Sequence, residues 1–162
     1  AMTDSLGVTS FVRDFVYSKA SQVQMFLPAI VFLIGCFLAF ATGTSWGTFG
    51  MLIPIVQSVF PMDNPLSVVC ISACMAGAVC GDHCSPISDT TIMASAGAQC
   101  DHVQHVSTQL PYAITVAAVS FVSYLIAGFI PNAFIALPIA FVLMFLTLLA
   151  IRMKQIRRTV TG

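Results

Sequence analysis

Two aspartates in the middle of the chain stand in a segment rich in oxygen-bearing side chains. Asp82 and Asp89 lie seven residues apart in the string GDHCSPISDTT, residues 81–91. Carboxylate and hydroxyl oxygens are the ligands that hard cations such as Na⁺ prefer. The candidate ligands for a small cation or a proton in this segment are Asp82, Asp89, Ser85, Ser88 and Thr90.

A second group of hydroxyls precedes this segment. The string GTSWGTFG, residues 43–50, lies between two apolar stretches and combines hydroxyls with flexible glycines. Thr44 and Ser45 are candidate ion ligands there, and the alternative is that they cap the helix that follows.

Three histidines could add pH dependence to such a site, because histidine changes charge close to physiological pH. His83 adjoins Asp82 and could sense pH, or it could hydrogen-bond the backbone of the same segment. His102 and His105 fall in a polar stretch and are expected to be solvated loop residues, with a role in pH regulation as the alternative.

Pro86 indicates a break in the helix that carries both aspartates. Proline removes a backbone donor and clashes with the preceding turn of a helix. We predict that one half-helix ends near Gly81, and that a second begins with Ser85 as N-cap and Pro86 at its first position. The unpaired carbonyls at the end of the first half-helix would add further oxygen ligands.

Composition places these residues in a membrane protein. Hydrophobic residues make up 58% of the chain and charged residues 7%, and glutamate is absent. A soluble domain needs roughly 25% charged residues. Asp82 and Asp89 are functional candidates by default, because an ionisable group inside a bilayer is costly unless it is paired or hydrated. Ala73, Gly77 and Gly81 recur at every fourth position, which permits close helix contact in lipid.

The chain divides into apolar segments joined by short polar stretches, which predicts an all-α polytopic membrane protein. A re-entrant hairpin is favoured for the first apolar pair because its second arm is short for a full span, and two complete spans are the alternative. The chain is predicted to begin with an amphipathic or connecting segment (residues 1–22) and to end with a basic tail (152–162), on either side of a transmembrane domain (23–151). Within that domain we predict the re-entrant hairpin (23–61), a broken transmembrane helix (66–100), a polar loop (100–109) and two further transmembrane helices (110–130 and 134–151).

Charge at the C-terminus predicts the orientation. Four cations, Arg152, Lys154, Arg157 and Arg158, follow the last apolar segment directly. Cytoplasmic loops and ends carry an excess of lysine and arginine, so we expect a multi-pass protein of the cell (inner or plasma) membrane with a cytoplasmic C-terminus. Because 162 residues are few for a transporter with two repeats, the chain is predicted to be a fragment.

Two strings closely resemble signature segments of the NhaC family of Na⁺/H⁺ antiporters. They are ATGTSWGTFGMLIPI (residues 41–55) and GAVCGDHCSPISDTTIMASAGAQCDHVQHVSTQLPYA (residues 77–113), and the similarity extends over most of residues 25–130. The resemblance implies two inverted repeats, each with a re-entrant hairpin and a broken helix. This chain would then hold one repeat and a final helix, without the N-terminal repeat. It also implies exchange of external protons for internal sodium, whereas some close relatives couple both ions to malate/lactate exchange.

The resulting hypothesis is a secondary active transporter and not an enzyme. Na⁺ and H⁺ are predicted to compete for the buried aspartates, with Asp89 as the primary carboxylate and Asp82 as its partner. The alternative is an organic-acid exchanger of the malate/lactate type coupled to Na⁺ and H⁺. No cofactor, no resident metal ion and no nucleic-acid partner are expected. The expected partners are Na⁺ (with Li⁺ as a second candidate), protons, the lipid bilayer, the missing N-terminal repeat and a second copy in a homodimer.

Overall fold

A computed structural model describes residues 21–60 and 64–161, and within these residues all regular structure is helical. The described helices are α1 (Ser21–Thr42), α2 (Ser45–Val59), α3 (Pro65–Cys84), α4 (Asp89–Gly97), α5 (His102–Phe129) and α6 (Ala133–Thr161). Local chemistry fixes where α3 begins. Asn64 caps it by accepting a hydrogen bond from the Leu66 N–H at 2.9 Å. Pro65 follows at the first helical position, where a missing N–H is no loss.

Small residues let α1 and α3 pack backbone to backbone. A Cβ added at Gly77 would overlap the carbonyl oxygen of Phe32, and one added at Gly81 would overlap the carbonyl oxygen of Cys36. The contacts advance by about one turn in the same direction along both helices, so α1 and α3 run parallel. Helices in lipid associate largely through such close packing, because the lipid tails are as apolar as the helices themselves.

α5 runs antiparallel to α1 and α3 and contacts both of them. Tyr124 stacks on Phe32 of α1 with ring centroids 5.4 Å apart, and its hydroxyl lies 3.0 Å from Ser72 Oγ of α3. Near the end of α5, Phe129 meets Phe26 edge-on, with ring centroids 5.7 Å apart. Late residues of α5 therefore meet early residues of α1. The end of α1, the end of α3 and the start of α5 consequently lie at the same end of the bundle.

α2 returns along α3 and closes a small core. Val56, Val59 and Phe60 pack against Cys70 of α3. α2 has 15 residues, or about 22 Å of helix, which is less than the ~30 Å of a hydrocarbon core. α1 and α2 thus form a helical hairpin where residues 23–61 were predicted to form one, and its re-entrant path stays a prediction.

Four of the helices in residues 21–60 and 64–161 are long and apolar enough to cross a membrane. They are Gln24–Thr42, Pro65–Cys84, His102–Phe129 and Ala133–Ile156. α6 packs mainly against α5 and exposes large apolar side chains such as Phe134 and Phe141. An extensive apolar exterior of this kind is suited to contact with lipid or with further membrane helices. The expected all-α polytopic membrane fold is confirmed.

The limits of α5 and α6 differ from the predicted segments. The prediction of a polar loop at residues 100–109 is wrong, because the Asp101 carboxylate caps α5 by accepting from the Gln104 N–H at 2.9 Å. Residues 152–162, predicted as a basic tail, continue α6 as helix up to Thr161. The predicted amphipathic segment, residues 1–22, lies outside the described residues except for its last two, which open α1.

Candidate functional site

The break between α3 and α4 is four residues long. Ser85 precedes Pro86, and a residue before proline is pushed from helical to extended backbone geometry. Its φ of −77° and ψ of 127° end α3 at this point. Ser88 then caps α4, with its Oγ accepting from the Thr90 N–H at 3.2 Å. The prediction that Ser85 caps the second half-helix is therefore wrong, because Ser85 ends the first helix and Ser88 begins the second.

The break follows a helix that is already long. α3 has 20 residues, or about 30 Å of helix, which matches the hydrocarbon core of a bilayer. Asp82 therefore lies close to one end of α3, and the break lies level with the first turn of α5. The first two turns of α5 are polar (HVQHVSTQ, residues 102–109), so the break faces a hydrophilic part of the bundle.

Asp82 is the buried acid of the break. Its side chain is 5% exposed, and both of its carboxylate oxygens have hydroxyl partners. Ser88 Oγ donates to Oδ1 at 2.7 Å, and Thr90 Oγ1 donates to Oδ2 at 3.4 Å. The two hydroxyl oxygens are 2.8 Å apart. Four oxygens from the two sides of the break thus form one compact group, which we call the Asp82 cluster.

The Asp82 cluster carries a carboxylate with no cationic side chain beside it in the part of the chain that the structure describes. The sequence has no lysine or arginine between Lys19 and Arg152, so hydroxyls are the partners of this carboxylate among the described residues. The carboxyl end of α3, where Asp82 lies, carries the negative end of the helix dipole. A buried charge is stable only when it is paired. A positive charge, or neutralisation by a proton, would satisfy that requirement here.

The surroundings of Asp89 differ from those of Asp82. It is the first residue of α4 and its side chain is exposed. The hydroxyls that cross the break bind Asp82 and not Asp89. An acidic residue in the first turn of a helix interacts favourably with the helix dipole, which gives Asp89 a structural role in α4. The structure therefore places one predicted carboxylate inside the oxygen cluster and the other at the surface.

Ser85 and Gly43 join the break to the hairpin. The Ser85 hydroxyl is fully buried and donates to the Phe40 carbonyl oxygen of α1 at 2.8 Å. Gly43 forms the turn after α1 with a φ of 67°, a left-handed geometry that glycine adopts without strain. A Cβ at Gly43 would lie 2.9 Å from the Ile87 carbonyl oxygen. The turn of the hairpin and the break are therefore in direct contact.

Thr44 and Ser45 lie at that turn with local roles. Thr44 caps α2, with its Oγ1 accepting from the Gly47 N–H at 3.4 Å, and the buried Thr48 hydroxyl donates to the Thr44 carbonyl at 2.9 Å. Ser45 is the first residue of α2. Among the described residues, neither hydroxyl bonds to the Asp82 cluster. The structure brings them beside the break through Gly43, and the capping alternative holds for Thr44.

His83 is exposed and bonds to its own helix. Its Nδ1 lies 3.0 Å from the Val79 carbonyl oxygen, one turn earlier in α3. A backbone hydrogen bond was one of the two interpretations of this residue from the sequence. Its role as a pH sensor stays a prediction.

His102 contacts the break and was missed by the sequence analysis. It is half-buried, its Nε2 lies 2.7 Å from the Pro86 carbonyl oxygen, and its Nδ1 lies 3.0 Å from Ser95 Oγ. The interpretation of His102 as a solvated loop residue is therefore wrong. The signal that could have found it is Asp101, an N-cap residue that places His102 in the first turn of a helix.

A family match covers both the hairpin and the break. The model of the Na⁺/H⁺ antiporter family matches residues 2–129. The chain belongs to this Na⁺/H⁺ antiporter family. Membership and the four apolar helices of the described residues together identify a membrane protein of an antiporter family.

Curated relatives are several times longer than the chain. An uncharacterised protein of Haemophilus influenzae is 56% identical over 107 residues, which are 65% of this chain and 21% of that protein. A malate-2H⁺/Na⁺-lactate antiporter of Bacillus subtilis is 33% identical over 120 residues, 73% of this chain and 25% of that protein. An uncharacterised Na⁺/H⁺ antiporter of Haemophilus influenzae is 35% identical over 118 residues, 70% of this chain and 23% of that protein. The chain thus spans a quarter or less of these relatives. No solved structure matches it.

Proposed function

We propose that the protein containing this chain is a Na⁺/H⁺ antiporter of the NhaC type, and that Na⁺ and H⁺ compete for the Asp82 carboxylate. The observation that carries this proposal is a buried carboxylate whose described partners are hydroxyls. A hydroxyl can donate a hydrogen bond to a carboxylate, or it can turn its lone pairs towards a cation. The oxygens of Asp82, Ser88 and Thr90 therefore suit Na⁺ in one state and a proton in the other.

Competition for one carboxylate is sufficient for coupled exchange. Because a proton must leave before Na⁺ binds, a site that opens alternately to the two sides moves the ions in opposite directions. Rocking of the hairpin α1–α2 and the broken helix α3–α4 against the rest of the protein would give this alternating access. The hydrogen bond from Ser85 to Phe40 and the packing of Gly43 on Ile87 support movement of the hairpin and the break as one unit.

The exposed carboxylate of Asp89 has a secondary place in this mechanism. It adds a negative charge at the start of α4, next to Ser88, and so raises the local concentration of cations near the site. The geometry favours Asp82 over Asp89 as the primary carboxylate, in contrast to the order expected from the sequence. Burial is the reason, since direct competition between Na⁺ and H⁺ needs a carboxylate that water does not already satisfy.

Organic-acid exchange is the second candidate, because the similar Bacillus subtilis protein is named a malate-2H⁺/Na⁺-lactate antiporter. Two observations favour a bare cation at the Asp82 cluster. Ser85 and Ser88 are 0% exposed, so the oxygens are packed too closely to admit a dicarboxylate. The stretch between Lys19 and Arg152 also has no cationic side chain to bind an organic anion.

The first test measures exchange by the full-length protein in everted membrane vesicles with an imposed proton gradient. A pH-sensitive dye reports the gradient after separate additions of Na⁺, Li⁺, K⁺, or malate with lactate on the opposite side. We expect Na⁺ or Li⁺ to collapse the gradient. We expect no collapse in Asp82→Asn, because an amide of the same size takes no negative charge. Asp89→Asn should keep exchange with a KM for Na⁺ that is higher by a few fold.

Asp101→Asn is the matched control, because asparagine caps a helix as well as aspartate does and Asp101 lies outside the Asp82 cluster. It should exchange ions normally. Normal Na⁺ exchange by Asp82→Asn would remove Asp82 from the mechanism. No collapse of the gradient with Na⁺, together with malate/lactate exchange, would support the organic-acid exchanger instead.

Competition itself has a pH signature. A higher proton concentration on the side that presents Na⁺ should raise the apparent KM for Na⁺ and leave Vmax unchanged, because protons occupy the same carboxylate. Initial rates of exchange, measured over a series of Na⁺ concentrations at several pH values, check this expectation. A Vmax that falls at constant KM would instead indicate two separate sites.

A further inference from the structure

One imidazole joins three parts of the molecule around the ion site. His102 is the first residue of α5, Pro86 is in the break, and Ser95 is in α4. His102 Nε2 lies 2.7 Å from the Pro86 carbonyl oxygen, and His102 Nδ1 lies 3.0 Å from Ser95 Oγ. Both ring nitrogens of this half-buried side chain therefore have hydrogen-bond partners. One partner precedes α4 in the sequence and the other lies within α4.

The partners determine where the ring carries its proton. A carbonyl oxygen can only accept, so His102 Nε2 must donate to Pro86. Ser95 Oγ also lies 2.9 Å from the Ile92 carbonyl oxygen. In the neutral ring, the Ser95 hydroxyl donates to Nδ1. In the doubly protonated ring, Nδ1–H donates to Ser95 Oγ, and the hydroxyl turns to Ile92. The bond from Nε2 to Pro86 persists in both states.

The position of the Pro86 carbonyl affects the geometry of the Asp82 cluster. It lies between Ser85, which binds the Phe40 carbonyl of α1, and Ser88, which donates to the Asp82 carboxylate at 2.7 Å. The hydrogen bonds within the break are long, with Ser88 N–H to the Ser85 carbonyl and Ile87 N–H to Ser85 Oγ each at 3.4 Å. A displacement of Pro86 would therefore move the Ser88 hydroxyl relative to Asp82.

We propose that His102 is a positioning residue for the ion site, holding the break through the Pro86 carbonyl so that Ser88 faces Asp82. This inference rests on the proposed function, since it assumes that the Asp82 cluster binds the transported ion. His102 does not contact the ion. It acts from outside the cluster, through the backbone of the segment that carries the Ser88 hydroxyl.

The test measures Na⁺-dependent exchange by the purified full-length protein in proteoliposomes and separates KM from Vmax. We expect His102→Ala to raise the KM for Na⁺ about tenfold, which corresponds to the loss of one good hydrogen bond, with Vmax within about twofold. His102→Gln should recover a KM within about threefold of wild type, because its amide N–H can reach the position of Nε2 and donate to Pro86. His102→Asn, whose amide reaches only the position of Nδ1, should behave like His102→Ala.

His105 supplies the matched control one turn along α5. His105→Ala removes an imidazole from the same polar stretch, and among the described residues no side-chain bond joins His105 to the break. Its KM should equal that of wild type. A KM for His102→Ala equal to that of His105→Ala would overturn the inference. So would equal effects of His102→Gln and His102→Asn, which would indicate general packing. If His102→Ala does not fold, the contrast between Gln and Asn decides.

Asp82→Asn in the same preparation separates the two proposals. Loss of exchange in Asp82→Asn with an unchanged KM in His102→Ala would overturn only the positioning role. Normal exchange in Asp82→Asn would overturn the proposed function, and the positioning role with it.

Discussion

At the scale of single residues, Ser88 has two roles that depend on the same oxygen. Its Oγ accepts from the Thr90 N–H at 3.2 Å as the cap of α4, and it donates to Asp82 Oδ1 at 2.7 Å. The position of the carboxylate and the start of α4 are thereby linked. A hydrogen bond to a charged group contributes about 1.5–3 kcal/mol, roughly twice that of a bond between neutral groups.

Ser88→Ala tests that link. It should raise the KM for Na⁺ by at least about tenfold, since it removes a donor to the Asp82 carboxylate that is also a proposed ligand for the ion. It should also lower stability by about 1 kcal/mol through loss of the cap. Ser88→Thr keeps the hydroxyl and should keep the KM. The measurements are initial exchange rates and thermal unfolding of the full-length protein.

Asn64→Ala is the control for the loss of a cap. Asn64 caps α3 at the end opposite the break, so its substitution should lower stability by a similar amount and leave the KM unchanged. A KM that rises equally in Asn64→Ala and Ser88→Ala would show that lower stability, and not a missing ligand, causes the effect.

At the scale of elements, the contact between α1 and α3 positions the break. The two helices run parallel, and the bond from Ser85 to Phe40 continues the series of close contacts made by Gly77 and Gly81. Each contact lies about one turn further along α3. Packing against the backbone of α1 therefore fixes where along the bundle α3 ends and in which direction it points. The position of Asp82 in the last turn of α3 is fixed in the same way.

Gly77→Ala should weaken this packing. A Cβ at Gly77 would overlap the Phe32 carbonyl oxygen, so the two helices must move apart. We expect a loss of about 1–3 kcal/mol, which is typical of overpacked interiors. Thermal unfolding of the full-length protein in detergent measures the effect.

Gly97→Ala is the matched control, because a Cβ at this exposed position has nothing within 4 Å among the described residues. It should be neutral or stabilising by up to ~1 kcal/mol, since alanine favours helix more than glycine does. Equal destabilisation by Gly77→Ala and Gly97→Ala would contradict the close packing of α1 on α3.

At the scale of the whole molecule, the helix directions place the break and the C-terminus at the same end. α5 begins beside the break, and a short turn at residues 130–132 sends α6 back along it. Arg152 and Lys154 lie towards the end of α6. The excess of cations at this end predicts a cytoplasmic location, so the Asp82 cluster would lie towards the cytoplasmic side.

Reporter fusions test this orientation. Green fluorescent protein fused after Thr161 of the full-length protein should fluoresce, because it folds on the cytoplasmic side. Alkaline phosphatase fused after Asn132 should be active, because it requires the opposite side. The reverse pattern would invert the proposed topology and place the Asp82 cluster towards the outside.

The sequence predicted the helical membrane architecture and the segment that contains the Asp82 cluster, but it did not predict several of the contacts there. Hydropathy shows which helices can cross the membrane, and Pro86 shows that α3 must end close to this residue. Ser85 and Ser88 are equally good caps by residue type. The choice between them depended on the packing of the break, in which Ser85 lies against α1 through the Phe40 carbonyl and Ser88 begins α4.

By itself the sequence determined which residues could bind a cation, because hard oxygen ligands in an apolar chain without basic partners are visible in composition and spacing. Only the tertiary structure decided that Asp82 is the buried carboxylate, that Asp89 is exposed, and that His102 contacts the break. The physical reason is that burial and hydrogen bonding depend on how α1, α3 and α5 pack against each other. Residues far apart in the sequence come into contact where these helices pack, and no local sequence pattern predicts which residues these are.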